Sequence, residues 1–158
     1  MANTDNPNGF QLAYTKTGGP AVMIKRKVAA SQTIVKGDPV VLGTAGTITI
    51  DDGAGVSLEG IAAEGCVTTA ADELTEILLY AASNVNVFVG QCSGSSATAL
   101  LGDHVDIEGS TGIFEINEDA GSTKVIKLIG LHKDDAEGAN GRMFFTIAKS
   151  SYENTEIS

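Results

Sequence analysis

A chain of 158 residues, 42% of them apolar, is long enough for one domain with a real core and too apolar to be disordered throughout. Its net charge of −10 excludes nucleic acid as the main partner, because a phosphate backbone demands cations. The opening "MANTDNPNGF" is polar and no run nears the roughly 18 apolar residues that span a bilayer, so the expectation is a protein made in a cytoplasm, without a membrane partner.

The charge is uneven. Residues 1–36 carry Lys16, Lys25, Arg26, Lys27 and Lys36 against Asp5 alone, a balance of +4, so the remainder carries −14 if the whole is −10. Opposite signs at two ends of a chain suggest pairing, within the molecule or between copies. Aromatics are only 5% and Trp is absent, so the core must rest on Val, Ile, Leu and Ala.

In chain order, residues 1–30 read as an extended N-terminal arm with Phe10, Leu12 and Tyr14 as anchors, ending in the strand "AVMIKRKV". Gly37-Asp38-Pro39 is a tight turn, since Gly tolerates positive φ and Pro, lacking an amide donor, suits a strand start. "GTITI" alternates as a strand with Ile48 and Ile50 on one face, "DDGAG" is a hairpin-type turn, and "SLEGIAAEGCV" reads as one or two strands interrupted by Gly60 and Gly65. Residues 72–81 fit either helical spacing or a strand; strand is favoured for 76–80. "NVNVFVGQ" alternates with Val85, Val87 and Val89 opposite Phe88. "SSATALLGD" predicts a short helix ending at Gly102. "HVDIEG", "GIFEIN", "KVIKLIGLH" and "RMFFTIAK" are further strands, "DDAEGANG" an exposed loop, and 151–158 a flexible tail. Eight to ten short strands with frequent turns predict an all-β fold: a small antiparallel barrel or sandwich over 31–150, with one or two short helices at most.

Catalytic or metal chemistry finds little footing. Asp103, His104 and Asp106 could be imagined as an acid/base or metal group, but a surface strand with a solvated histidine is the plainer reading. Cys66, Cys92 and His104 lack zinc spacing, and the two cysteines read as buried or partly buried thiols rather than a disulfide. Ser93, Ser95 and Ser96 sit in no GxSxG, and no GxGxxG or P-loop occurs. The pairs Asp51-Asp52 and Asp134-Asp135 read as solvated turn acids rather than a calcium site. No enzyme activity, cofactor or metal is expected. A carbohydrate-binding module would call for several exposed Trp or Tyr platforms, and the chain has three Tyr.

The cation triplet is split by strand geometry: Lys25 and Lys27 point one way with Met23, and Arg26 the other with Val22, Ile24 and Val28. It predicts an edge strand guarded by lysines, a rim contact with an acidic protein surface, or a phosphate site.

The order of "IVKGDPVVL", "GTITI", "LEGIAAEG", "ILLYAASNVNVFVGQ", "LLGDHVDIEGSTGIFEIN", "KVIKLIGL" and "GRMFFTIAKS" resembles the small capsid decoration, or cement, proteins of tailed bacteriophages over roughly residues 9–150. That resemblance implies a β-tulip-like core with an N-terminal arm and a homotrimer on the outer face of an icosahedral head. It implies the major capsid protein as partner and no catalysis. It marks Phe10, Leu12, Tyr14, Lys16, Lys25, Arg26 and Lys27 as partner-contacting positions in the arm. The alternatives are another virion component, such as a tail-tube or head-fibre protein, and, more remotely, a small hydrolase using Asp103, His104 or Cys66.

Overall fold

A computed structural model describes residues 2–43, 45–51, 57–69 and 75–153, and the backbone of 155–156. The strands, in chain order, begin with β1 (Gln11–Thr15), β2 (Met23–Lys27), β3 (Thr33–Ile34), β4 (Pro39–Leu42), β5 (Ile48–Ile50) and β6 (Leu58–Ala62). The middle of the chain forms β7 (Cys66–Val67), β8 (Glu76–Ala81), β9 (Asn86–Gln91), β10 (Ser95–Ser96), β11 (His104–Glu108) and β12 (Glu115–Asn117). The last third adds β13 (Ile126–Leu131), β14 (Gly138–Ala139), β15 (Arg142–Ile147), β16 (Lys149–Ser150) and β17 (Thr155–Glu156). The protein is all-β, and pairing is antiparallel but for β16 on β6 and two isolated bridges.

Two large sheets share the chain with two small strand pairs, β3-β7 and β10-β14. The first runs β1-β9-β15-β13-β11-β12. The second runs β17-β16-β6-β4-β5, with β8 on β6 and β2 on β8. In each, a far strand returns through a single parallel bridge: Cys92 to Ile116 in the first, Val28 to Ile48 in the second. Among the described residues the ladders do not form a continuously hydrogen-bonded barrel, and the two bridges are the closure seen there.

Alternation explains the cores. In β9, Phe88 faces inward and stacks on Phe145 at 5.8 Å, while Val89 lies on the other face opposite Phe144. The main core gathers Phe10, Phe88, Phe114, Phe145, Ile126 and Leu128, with Leu58 and Ile61 from the second sheet. A smaller core of Val28, Ile34, Val40, Ile48, Ile77 and Leu79 joins the second sheet to the β3-β7 pair. Few as they are, four of the five phenylalanines are fully buried.

The boundary expected at residue 30 does not separate an arm from a body. β1 is an edge strand of the first sheet and β2 pairs with β8 along its length. The physical reason is Phe10: its ring is 1% exposed and meets Phe145 edge-on at 5.0 Å. Gly90 opens the slot, since a Cβ there would lie 2.5 Å from that ring. The tail is also tied in: Thr155–Glu156 pairs with β16, and Glu153 accepts from Asn84 N–H at 3.0 Å.

Other local expectations fared variously. Residues 76–81 are a strand, whereas 72–74 lie outside the described residues, as does most of "DDGAG". Gly60 does not interrupt β6; it admits the carbonyl oxygen of Tyr80, which would collide with a Cβ. The helix expected over "SSATALLGD" shrinks to one 3-10 turn at Thr98–Leu100, followed by Gly102 at φ +93°. The loop "DDAEGANG" contributes β14, paired with β10.

Candidate functional site

Two surfaces hold the residues that could meet a partner. The first is the exposed face of β2. Met23, Lys25 and Lys27 all point to solvent, and Met23 is 42% exposed. Arg26 turns the other way, with its Nε 2.7 Å from Oε1 of Glu59. Glu59 is 1% exposed, and its second oxygen accepts from the Ser151 hydroxyl at 2.7 Å. A buried carboxylate needs such company, so Arg26 is tied to Glu59 while its side chain stays one-third exposed. The expected split of the triplet holds, and its lysine side is the more open one. Lys27 stands opposite Glu76 in the β2–β8 register.

The second surface is the outer face of β1, β9 and β15 with the loop after β13. Tyr14 is 48% exposed and meets Phe144 edge-on at 5.7 Å. Phe144 in turn lies 5.6 Å from the His132 ring. Beside this aromatic row is a cleft of about 530 Å³ between residues 2–11 and the loop at 134–142. Its walls are mostly polar, including Asn6, Asn8, Gln11, Asn140 and Arg142. Residues 2–8 are held across it by few ties. Asn3 Nδ2 donates to Ala136 O at 2.9 Å and Ala139 O at 3.1 Å. Gln91 accepts from Asn6 N–H at 3.0 Å and donates to Asp5 Oδ1 at 2.9 Å.

Charges around the cleft are settled by geometry. Arg142 donates through Nε and Nη2 to Asp135 at 3.0 and 2.7 Å, and its backbone N–H adds a third bond at 2.8 Å. This fork holds the Asp135 carboxyl below the usual range and raises the guanidinium. Glu115 lies at the far end of the Gln91 side chain, 3.2 Å from Nε2. Burial, then the carboxylates of Asp5 and Glu108, push Glu115 up.

The seven positions assigned to the arm thus separate. Phe10 and Arg26 serve the interior and Leu12 packs half-buried on the main core. Tyr14, Lys16, Lys25 and Lys27 are exposed. Tyr14 lies in the first sheet and the two β2 lysines in the second, so they do not form one patch.

The imagined chemical groups are placed elsewhere. Asp106 is tied up capping a loop, accepting from the hydroxyls of Ser122 and Thr123 and the N–H of Thr123 and Lys124. Cys92 is buried in the first sheet; burial, with Glu118 and Glu115 nearby, pushes its thiol up to about 12. Cys66 is half-buried in β7, opposite Ile34. Ser96 is buried and donates to Gly138 O at 3.3 Å, while Ser95 N–H donates to Glu118 Oε1 at 2.6 Å. Asp51 is buried and Asp52 lies outside the described residues. Among the described residues no group of three His, Cys, Asp or Glu is placed to hold a metal.

Sequence reasoning missed the cleft. Its walls come from three stretches far apart in the chain, and only the amide-rich start "NTDNPNGFQ" signals it. No protein-family model matches the chain, and no curated protein matches it.

Proposed function

We propose that this chain is a structural virion protein of the capsid-decoration type, sitting as trimers on the outer surface of a tailed-phage head and stabilising the expanded shell. The observation that carries this reading is the ordered series of sequence features over roughly 9–150, whose strand-like segments fall on the strands of an all-β body. "IVKGDPVVL" is β3, turn and β4; "LEGIAAEG" holds β6; "NVFVGQ" is β9; "RMFFTIAKS" is β15 and β16. A trimer at a threefold site closes on itself and adds buried area that a small domain lacks.

The surface offered to the major capsid protein in this reading is the Met23, Lys25 and Lys27 face, an apolar contact followed along the strand by two cations. Binding that favours the expanded shell stabilises it by mass action. The test is a cryo-EM map of the virion carrying this protein, with binding measured to expanded heads and procapsids. Density at threefold axes and binding confined to expanded heads are expected. Density on the tail, or equal binding to both head forms, overturns the proposal. Replacing both lysines by Glu is expected to weaken attachment roughly tenfold or more at low salt.

A further inference from the structure

We propose that the outer face of the first sheet carries a binding site for neutral oligosaccharides, formed by the polar cleft beside residues 2–8 together with the adjacent Tyr14 ring. A sugar presents hydroxyls around its rim and C–H groups on its ring faces. It is recognised by side-chain amides that can both donate and accept at the rim, and by an aromatic ring against a face.

Both halves of that chemistry are present and contiguous. The cleft, at about 530 Å³, has the size of a small-ligand site. The side-chain amides of Asn6, Asn8, Gln11 and Asn140 line it, and none of the four bonds to another described residue. Arg142 and Asp135 neutralise each other in their fork. Asp134, 64% exposed, is left as the cleft's acid and disfavours anionic ligands.

The aromatic half is put in place by a β-bulge. Gln11 stands opposite Val89 and Tyr14 opposite Val87, with the register shifting between Leu12 and Tyr14. Val87 and Val89 are two apart on β9, so Gln11 and Tyr14 share one face of the sheet. Without the extra residue, Tyr14 would fall on the opposite face from Gln11. The bulge therefore carries the cleft's edge directly onto an exposed ring. The row Tyr14, Phe144, His132 then leads back to Asp134 and Asp135 on the cleft's other wall.

A scarcity of aromatics argued against a carbohydrate module in the sequence. The structure answers with one platform rather than several, and weak single-site binding on the order of 1 mM is expected. Many copies on one surface would multiply that affinity. Only this last step rests on the proposed virion role; the site itself does not.

The experiment is a titration of the ¹⁵N-labelled full chain with maltohexaose, cellohexaose and N-acetylchitohexaose, and with hexagalacturonate as an anionic probe of equal length. At least one neutral probe is expected to give saturable shifts grouped at residues 6–14, 89–91 and 134–142. Tyr14→Ala and Gln11→Ala should each weaken it about five- to tenfold, while Tyr14→Phe retains binding. Both side chains are exposed, and the dispersion of the spectrum reports that each variant is folded. Replacing Lys25 and Lys27 by Glu should leave sugar binding unchanged, and Tyr14→Ala should leave head attachment unchanged, so the two proposals fail separately. The inference is overturned if no neutral probe shifts the spectrum at about 10 mM, if the Tyr14 and Gln11 variants bind like the parent, or if hexagalacturonate binds as tightly.

Discussion

Two loops of the molecule are each organised around one buried aspartate, and the two carboxylates behave in opposite ways. Asp106, on β11, accepts from two hydroxyls and two backbone N–H groups of residues 122–124. Burial pushes its carboxyl up, but the Thr123 hydroxyl, the Lys124 N–H and the Ser122 hydroxyl outweigh that and hold it below the usual range. Asp38, in the Gly-Asp-Pro turn, is wholly buried with two donors among the described residues, Val35 N–H at 2.8 Å and Gly112 N–H at 2.7 Å. Burial dominates there and raises its carboxyl. A count of donors decides whether a buried carboxylate is comfortable or tolerated. The two also differ in reach. Asp106 organises a loop 17 residues on, whereas Asp38 joins the second sheet to a turn of the first, 74 residues away.

The largest effect is expected on the Asp38 side, from its neighbour Phe10, whose N–H donates to Gly37 O at 2.9 Å. Phe10→Ala removes a wholly buried ring and should cost about 3–5 kcal/mol in urea unfolding. An arm loosely laid on the surface would lose almost nothing, so a cost below about 1 kcal/mol would sink the placement of Phe10 in the core. Next comes Asp106→Ala, which strands four donors. We expect a loss of about 3 kcal/mol, with Asp106→Asn recovering part of it.

Asp38→Asn should cost less, about 1–2 kcal/mol. The amide keeps one acceptor for Val35 or Gly112 but turns an NH₂ toward the other, while the burial of a charge is relieved. A loss for Asp38→Asn larger than for Asp106→Asn would reverse the ranking and with it the donor-count argument.

How far these sites could be read in the sequence follows from their reach. The tight turn at Gly37-Asp38-Pro39 was legible because its signals are local: Gly37 takes φ +97° and Pro39 opens β4. What Asp38 holds was not, since Gly112 belongs to another sheet. Alternation exposed the split of Lys25, Arg26 and Lys27, but not the buried Glu59 that claims Arg26. Phe10 looked like an external anchor because its flanks are polar; the slot that receives it is made by Gly90, a residue whose contribution is a missing side chain. The cleft and the Tyr14 platform were hidden for a related reason. A bulge at Ala13 reverses the face of Tyr14, and strict period-two counting places it wrongly.

The smallest expected effect is also the most specific to the comparison. Asp106 has a folded pKa below its unfolded value, near 4. It contributes stability above that value, and the contribution is lost as pH falls through its depressed folded pKa. Asp38 has the opposite sign: its folded pKa is raised, so its contribution is fully present below about pH 4 and is lost as pH rises through the folded value. Unfolding free energies of the parent, Asp38→Asn and Asp106→Asn, each measured from about pH 3 to pH 7, separate the two. The difference between parent and Asp106→Asn should grow as pH rises toward about 4 and level off above it, whereas that between parent and Asp38→Asn should hold steady below about 4 and change in the opposite direction as pH rises above it. Parallel curves for the two variants would mean that the two loops feel burial equally, and that the extra donors around Asp106 do not set its ionisation.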